Sequence, residues 1–218
     1  YGHWPKDETT AAVVEYLLQR QNGQEHYAPE SVRPPGEKSF FTSSYVAIRA
    51  LKTFGLPEHH ERIQSRIDRI RTWALKTPAE ETEDFVFRLR LLQLVEAPEA
   101  EIQRATADLL ALQQSDGGWG QLVEMPSDAY ATGSALVALH ESGGLPTNAS
   151  AYRKGLVYLL SIQLEDGSWH VVSRSQPFQS LFESGYPHGK DQFISMAAAS
   201  WSTTAILLSL PVSRTESP

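Results

Sequence analysis

The 218-residue sequence contains no cysteine. Disulfide staples, zinc thiolates and thiol nucleophiles are thereby excluded together. It also lacks any apolar run near the ~18 residues that a membrane span requires, and no secretory leader is readable at its start. Acidic residues outnumber basic ones 26 to 19, for a formal charge of −7. No extended basic patch stands out, so nucleic acid is not an expected partner. Adjacent aspartates are missing as well. The chain begins with Tyr1 instead of Met, which reads as a processed or excised piece. The compartment stays open, because freedom from cysteine also suits an extracytoplasmic protein.

What is present is an ordinary globular balance, 41% hydrophobic and 21% charged residues. Arg62, Arg66, Arg69 and Arg71 alternate with Ile63, Ile67 and Ile70, the pattern of one wet helix face. Self-similarity is the strongest signal. Arg104-Ala105, Leu109-Leu110, Gln113, Asp116-Gly117 and Trp119 align without a gap, at an offset of 50, on Lys154-Gly155, Leu159-Leu160, Gln163, Asp166-Gly167 and Trp169. Each unit runs as a helix to its Gln, breaks at an Asp-Gly-x-Trp turn where Gly tolerates positive φ, and starts a second helix. Two weaker copies lie upstream. Tyr16-Leu17-Leu18 with Gln21 and Tyr27 fits with Tyr in place of Trp. Trp73-Ala74-Leu75 fits the helix but has Pro78 where Gln would stand.

These units predict eight helices in four pairs, with first members near 9–21, 58–77, 99–114 and 148–164. Second members are expected near 39–54, 81–96, 127–142 and 191–209. The second members carry small residues: Ala131, Gly133, Ala135 and Ala138 in one, Ala197, Ala198, Ala199 and Ala205 in another. They belong on the crowded inner side. No segment alternates with the period of a strand. Residues 1–218 read as a single all-α domain.

At these residues the chain resembles the squalene–hopene cyclase and protein prenyltransferase superfamily, with its QW motif. Lys154, Gly155, Tyr158, Leu159, Leu160, Gln163, Gly167 and Trp169 carry the resemblance, and the 104–119 unit repeats it with Asp108 in place of the aromatic. The resemblance implies an α/α toroid in which Gln113, Trp119, Gln163 and Trp169 are structural. A family toroid has about six pairs and four are readable. The ring is then open, or further pairs lie outside this piece. The family's chemistry is not carried over, because the acidic Asp-x-Asp-Asp motif, the magnesium-binding Asp-Asp-x-x-Asp motif and the zinc-ligating cysteine are all missing.

Candidate chemistry gathers at the starts of the second helices. Glu83-Asp84-Phe85, Ser127-Asp128-Ala129-Tyr130 and Lys190-Asp191-Gln192-Phe193 each put a carboxylate and an aromatic there. Capping is one reading, since Asp accepts from the first free N–H groups. An acidic, aromatic rim at one mouth of a toroid is the other. The 21 residues His170–Lys190 are far longer than the ~4–6 of an ordinary connection and read either as a lid or site wall or as a loop packed across the barrel mouth for stability alone. Glu183, His188 and Asp191 in and beside that segment, with Asp128, are the candidate acid–base residues. Tyr130, Phe178, Phe182 and Tyr186 are the candidate ligand contacts. His188 and Asp191, three apart, are placed for their side chains to meet, either structurally, in catalysis or around a metal. His59-His60-Glu61 fails as a zinc-protease motif because position 64 is Gln, and no serine triad is supported.

Two functions follow. The chain is a cyclase-like domain without cyclase chemistry that binds an apolar small molecule or further repeats, or it is an enzyme using the toroid cavity. No cofactor is expected.

Overall fold

A computed structural model describes residues 4–20, 25–29, 31–176, 180 and 182–211. Among them are eight α-helices: α1 (Glu8–Arg20), α2 (Phe40–Phe54), α3 (His60–Lys76), α4 (Thr82–Leu94), α5 (Glu99–Ala111), α6 (Ala129–Glu141), α7 (Ser150–Ser161) and α8 (Gln192–Ser209). The described residues form no strand, only an isolated bridge between Trp119 and Asp128. The protein is all-α, and each expected helix is present in its expected place.

The chain divides into two compact units, with the boundary inside α5. The first runs to Asp108 and includes Arg174–Gln176. Here α2 and α4 lie parallel. Ser39 Oγ donates to Asp84 Oδ1 at 2.7 Å where the two helices start, and Lys52 Nζ donates to the Leu94 carbonyl at 3.0 Å where they end. Ile48, Leu51, Leu89 and Leu92 are buried in this unit. The arginines of α3 do more than face water. Arg66 donates to the carbonyl of Leu18 in the last turn of α1, and Arg71 Nε donates to the Val95 carbonyl just beyond α4 at 2.7 Å. A helix leaves its last four carbonyls without intrahelical donors, and these guanidinium groups supply them.

The second unit runs from Leu109 to Ser173 and takes in the described residues from 180 onward. Every residue of α6 from Ala129 to Leu139 is buried. Gly133 allows the close approach of α8: a Cβ there would stand 2.7 Å from the Ser202 amide nitrogen. Ser202 Oγ bonds the Ala129 carbonyl at 3.3 Å, and Tyr152 of α7 donates its hydroxyl to the Ala205 carbonyl at 2.8 Å. Small residues thus face small residues where α6 and α8 meet.

Candidate functional site

The site is built on a turn that the sequence repeats. In the first copy, Gln113 Nε2 donates to the Gly117 carbonyl at 2.8 Å, and Trp119 Nε1 reaches ten residues back to the Leu109 carbonyl at 2.9 Å. In the second copy, Gln163 Nε2 donates to Gly167 O at 2.9 Å and Trp169 Nε1 to Leu159 O at 2.8 Å. Gly117 and Gly167 both adopt the left-handed backbone, with φ of 90° and 82°. Asp116 and Asp166 each accept the amide two residues on, at 2.9 Å. Both indoles are buried. The first Gln also donates to the Ala151 carbonyl at 2.8 Å, tying the end of α5 to the start of α7.

A third copy keeps the bond with a different donor. Tyr27 donates its hydroxyl to the Leu17 carbonyl at 2.9 Å, again ten residues back. Its amide donates to Ser44 Oγ at 3.1 Å, as the Trp119 amide donates to Thr132 Oγ1 at 2.9 Å. Gln21 of that copy lies outside the described residues.

The copies part after the tryptophan. Eight residues join Trp119 to Asp128, whereas 21 join Trp169 to Asp191. Asp128 caps α6: Oδ1 accepts the Ala131 amide and Oδ2 accepts Gln121 Nε2, each at 2.9 Å. Asp191 precedes α8 but makes no side-chain cap bond. Its Oδ1 accepts the Ser173 amide at 2.9 Å, and its Oδ2 lies 3.0 Å from His170 Nε2. The expected partner, His188, lies elsewhere: its Nε2 is 2.9 Å from Ser168 Oγ, and its ring stacks on His170 with centroids 4.8 Å apart and planes 18° from parallel. His188 reaches this position with a left-handed backbone, φ 82°. Tyr186 meets His188 edge-on at 6.2 Å.

The direction of each proton follows from the acceptors. Ser168 Oγ is 2.7 Å from Asp166 Oδ1, and an ionised carboxylate only accepts. Ser168 therefore gives its one proton to Asp166, and His188 donates Nε2–H to Ser168. That direction is wrong for a serine nucleophile, which must give its proton to the imidazole. Likewise His170 donates Nε2–H to Asp191.

Burial works to raise the Asp191 pKa, but bonds from His170 and Ser173 and the charges of Lys190 and His170 outweigh it, so the carboxyl sits below the usual range. The Ser168 hydroxyl and amide hold Asp166 below its ordinary value too. Burial pushes the Tyr186 phenol up, aided by the Asp166 charge. In the His170–Asp191 pair, side-chain exposure is 46% for the imidazole and 7% for the carboxylate. A buried carboxylate that orients a wet imidazole is the geometry of a base with its orienting acid.

Of the sequence candidates, His188, Asp191 and Tyr186 gather at this second turn. Asp128 and Tyr130 belong to the start of α6, with Tyr130 buried. Glu183 is exposed, and Phe182 is 66% exposed, with its carbonyl accepting Gln192 Nε2 at 2.7 Å. Phe178 lies outside the described residues. Sequence reasoning missed His170, Ser168 and Asp166 as partners. The available signal was alignment: His170 takes the position that Gly120 holds in the first copy.

In the first unit, the Glu83-Asp84 helix start is also engaged. Buried Glu83 accepts Thr42 Oγ1 at 2.8 Å, and neighbouring Glu81 pairs with Lys38 and Arg174, each at 2.6 Å. Burial would raise the Glu81 pKa, but the two cations hold it low. Among the described residues, no group of three or more His, Asp or Glu is placed to hold a metal.

No family model matches this chain. Over 78 residues it is 37% identical to drimenyl diphosphate synthase of Streptantibioticus cattleyicolor and, equally, to that of Streptomyces showdoensis. The match takes in 36% of this chain but only 13% and 14% of the synthases, so the chain corresponds to a small part of those proteins. Two crystal structures described as possible members of the GH105 family cover 93% of the chain. One is from Salmonella enterica serovar Paratyphi A, with TM-score 0.47, 12% identity and 68% of that chain covered. The other is from Klebsiella pneumoniae, with TM-score 0.45, 13% identity and 66% covered. No helix among the described residues is long and apolar enough to cross a membrane.

Proposed function

We propose that this chain is a terpene-cyclase-like helical-repeat domain, of the α/α toroid kind, that binds a ligand or partner and carries no cyclisation chemistry of its own. The observation that carries this reading is where the carboxylates are spent. Cyclisation by alkene protonation needs an acid whose proton points at substrate. Asp128 is engaged by Ala131 and Gln121, and Asp191 by Ser173 and His170. The bonds to Asp191 hold its carboxyl below the usual range, so it has no proton to give near neutrality, and the Asp128 oxygens are turned to donors within the chain. The partial similarity to drimenyl diphosphate synthases supports the kinship without supplying the acidic motif. In this reading Gln113, Trp119, Gln163 and Trp169 are scaffold, and Tyr186 and His188 at the second turn are the ligand-facing groups.

The test is incubation of the protein with farnesyl diphosphate and magnesium, followed by dephosphorylation and gas chromatography with mass detection. Only the linear alcohol is expected. A cyclised product dependent on Asp128 or Asp191 refutes the reading.

One observation favours a second reading, acid–base catalysis on another substrate: the half-exposed His170 ring held by buried Asp191. A turnover found in a substrate screen and lost in His170→Gln would establish it.

A further inference from the structure

The first unit holds a cleft of about 430 Å³ beside α3, where α2 and α4 end. That lies within the range of small-molecule sites, about 300–1,000 Å³. Its floor is apolar. Leu51 and Ile67 are buried there, and Ile63 is half-buried. Gly55 makes room for Ile63, whose Cδ1 stands 2.4 Å from where a Cβ on that glycine would be.

The rim is cationic. Lys6, Lys52 and Arg71 line it with a single carboxylate, Glu96. That balance runs against the chain's formal charge of −7. Each cation is held in place by a backbone carbonyl near a helix end. Lys6 Nζ donates to the Gly55 carbonyl at 3.3 Å, Lys52 Nζ to Leu94 O at 3.0 Å and Arg71 Nε to Val95 O at 2.7 Å. This duty takes one N–H from each and leaves donors over. An ammonium has three N–H groups. Among the described residues Lys6 uses one of them and Lys52 two, the second on Glu96 at 3.0 Å.

The acids paired with these cations are the outward members of their pairs. Glu96 is 79% exposed against 35% for Lys52, and Asp68 is 56% exposed against 29% for Arg71. Exposed pairs of this kind hold weakly and yield to a competing anion. The Lys52 bond and charge hold the Glu96 carboxyl below its ordinary value, and the Arg71 charge adds to this, so both cations act on one part of the rim.

We infer that this cleft binds a small anionic amphiphile, an aliphatic chain ending in a phosphate monoester. The chain lies on Leu51, Ile63 and Ile67, and the phosphate accepts from Lys6, Lys52 and Arg71. A phosphate brings three acceptor oxygens and about two negative charges, which suit three separate cations better than one carboxylate does. The cleft belongs to the first unit, so the inference stands independently of the reading of the second turn.

Isothermal titration calorimetry with octyl phosphate, kept below its micelle concentration, tests this. Saturable one-to-one binding is expected. Inorganic phosphate lacks the chain and octanol lacks the charge, so each should bind weaker by ~tenfold or more. Lys6→Gln and Lys52→Gln should each weaken octyl phosphate binding about two- to fivefold. Gln64→Glu, which sets a charge of the wrong sign in the lining, should weaken it as well. All three side chains are exposed, and circular dichroism of the variants confirms that folding is kept. Arg153→Gln removes an exposed cation of the second unit and should leave the affinity unchanged. No binding by the wild type, equal binding of inorganic phosphate or octanol, lysine variants of wild-type affinity, or an equal loss in Arg153→Gln would each overturn the proposal. Binding confined to vesicles that contain phosphatidic acid would overturn it too, since the cleft would then be a membrane contact.

Discussion

Replacing Trp169 tests the turn on which the site rests. The indole is buried, and its N–H is the donor that reaches the Leu159 carbonyl at 2.8 Å. Trp169→Ala removes both ring and donor, for a loss of about 3–5 kcal/mol. For a protein of this length that corresponds to a drop in melting temperature of roughly 6–20 °C. Trp169→Phe keeps most of the apolar volume and deletes the donor, leaving the Leu159 carbonyl unmet near a helix end, at about 1–3 kcal/mol. The ratio of the two losses separates packing from hydrogen bonding. The same pair at Trp119 should give matching losses, because the 2.9 Å bond to Leu109 is the same interaction. Urea and thermal unfolding followed by far-ultraviolet circular dichroism reads all four variants. Wild-type stability in Trp169→Ala, or a full loss at Trp119 with none at Trp169, would refute the equivalence of the two turns.

Two further outcomes follow from the second unit. Asp191→Asn should cost about 1.5–3 kcal/mol near neutrality by weakening charge-assisted bonds from His170 and Ser173. Because the folded pKa of Asp191 is depressed, its contribution is present above the unfolded value of about 3.9 and lost as pH falls through the folded one. The gap between wild type and variant, measured by urea melts, should therefore close in acid; a gap independent of pH would contradict this. Gly133→Ala should destabilise by about 1–3 kcal/mol, since its Cβ would sit 2.7 Å from the Ser202 nitrogen and α6 and α8 would have to part. A neutral result in a thermal melt would count against close packing there.

The helices were legible because their signal is local. Apolar residues at three- and four-residue spacing mark α5 and α7, and a run of small residues marks α6 and α8. The tryptophan turn was legible because it occurs twice at a fixed offset, and even the copy with Tyr27 keeps the ten-residue reach. The cluster beside it was not. His188 and Asp191 are three apart in sequence, and nearness in sequence suggested a pair. The intervening 3-10 turn Gly189–Asp191 and the left-handed His188 send their side chains to different partners. Those partners, Ser168 and His170, lie about twenty residues back and were brought near by the return of a long loop. No local periodicity encodes such a return. The arginines of α3 show the same limit: periodicity places them on the outer face but says nothing of the carbonyls of Leu18 and Val95 within their reach.

The lengths of the two connections explain why titratable side chains gather at the second turn. After Trp119 the chain has only eight residues in which to reach α6, and it does so with Gly120 pressed so close that a Cβ would stand 2.4 Å from the Met125 carbonyl. No side chain fits there, and Asp128 at the end of so short a path faces the free amides of α6 and caps them. After Trp169 the path is 21 residues long, and the aligned position has room for an imidazole. Entry into α8 is made by a 3-10 turn, with the Asp191 amide bonded to the His188 carbonyl at 2.9 Å, so the aspartate is relieved of capping. Its carboxylate turns to His170 instead. One scaffold thus holds two outcomes: a closed turn whose aspartate caps the next helix, and an opened one beside which two stacked imidazoles and a phenol gather. Deleting residues of the second connection, Tyr186 and His188 among them, so that it matches the first in length would be expected to leave the tryptophan turn and Asp166 standing and to turn Asp191 back to capping α8, as Asp128 caps α6.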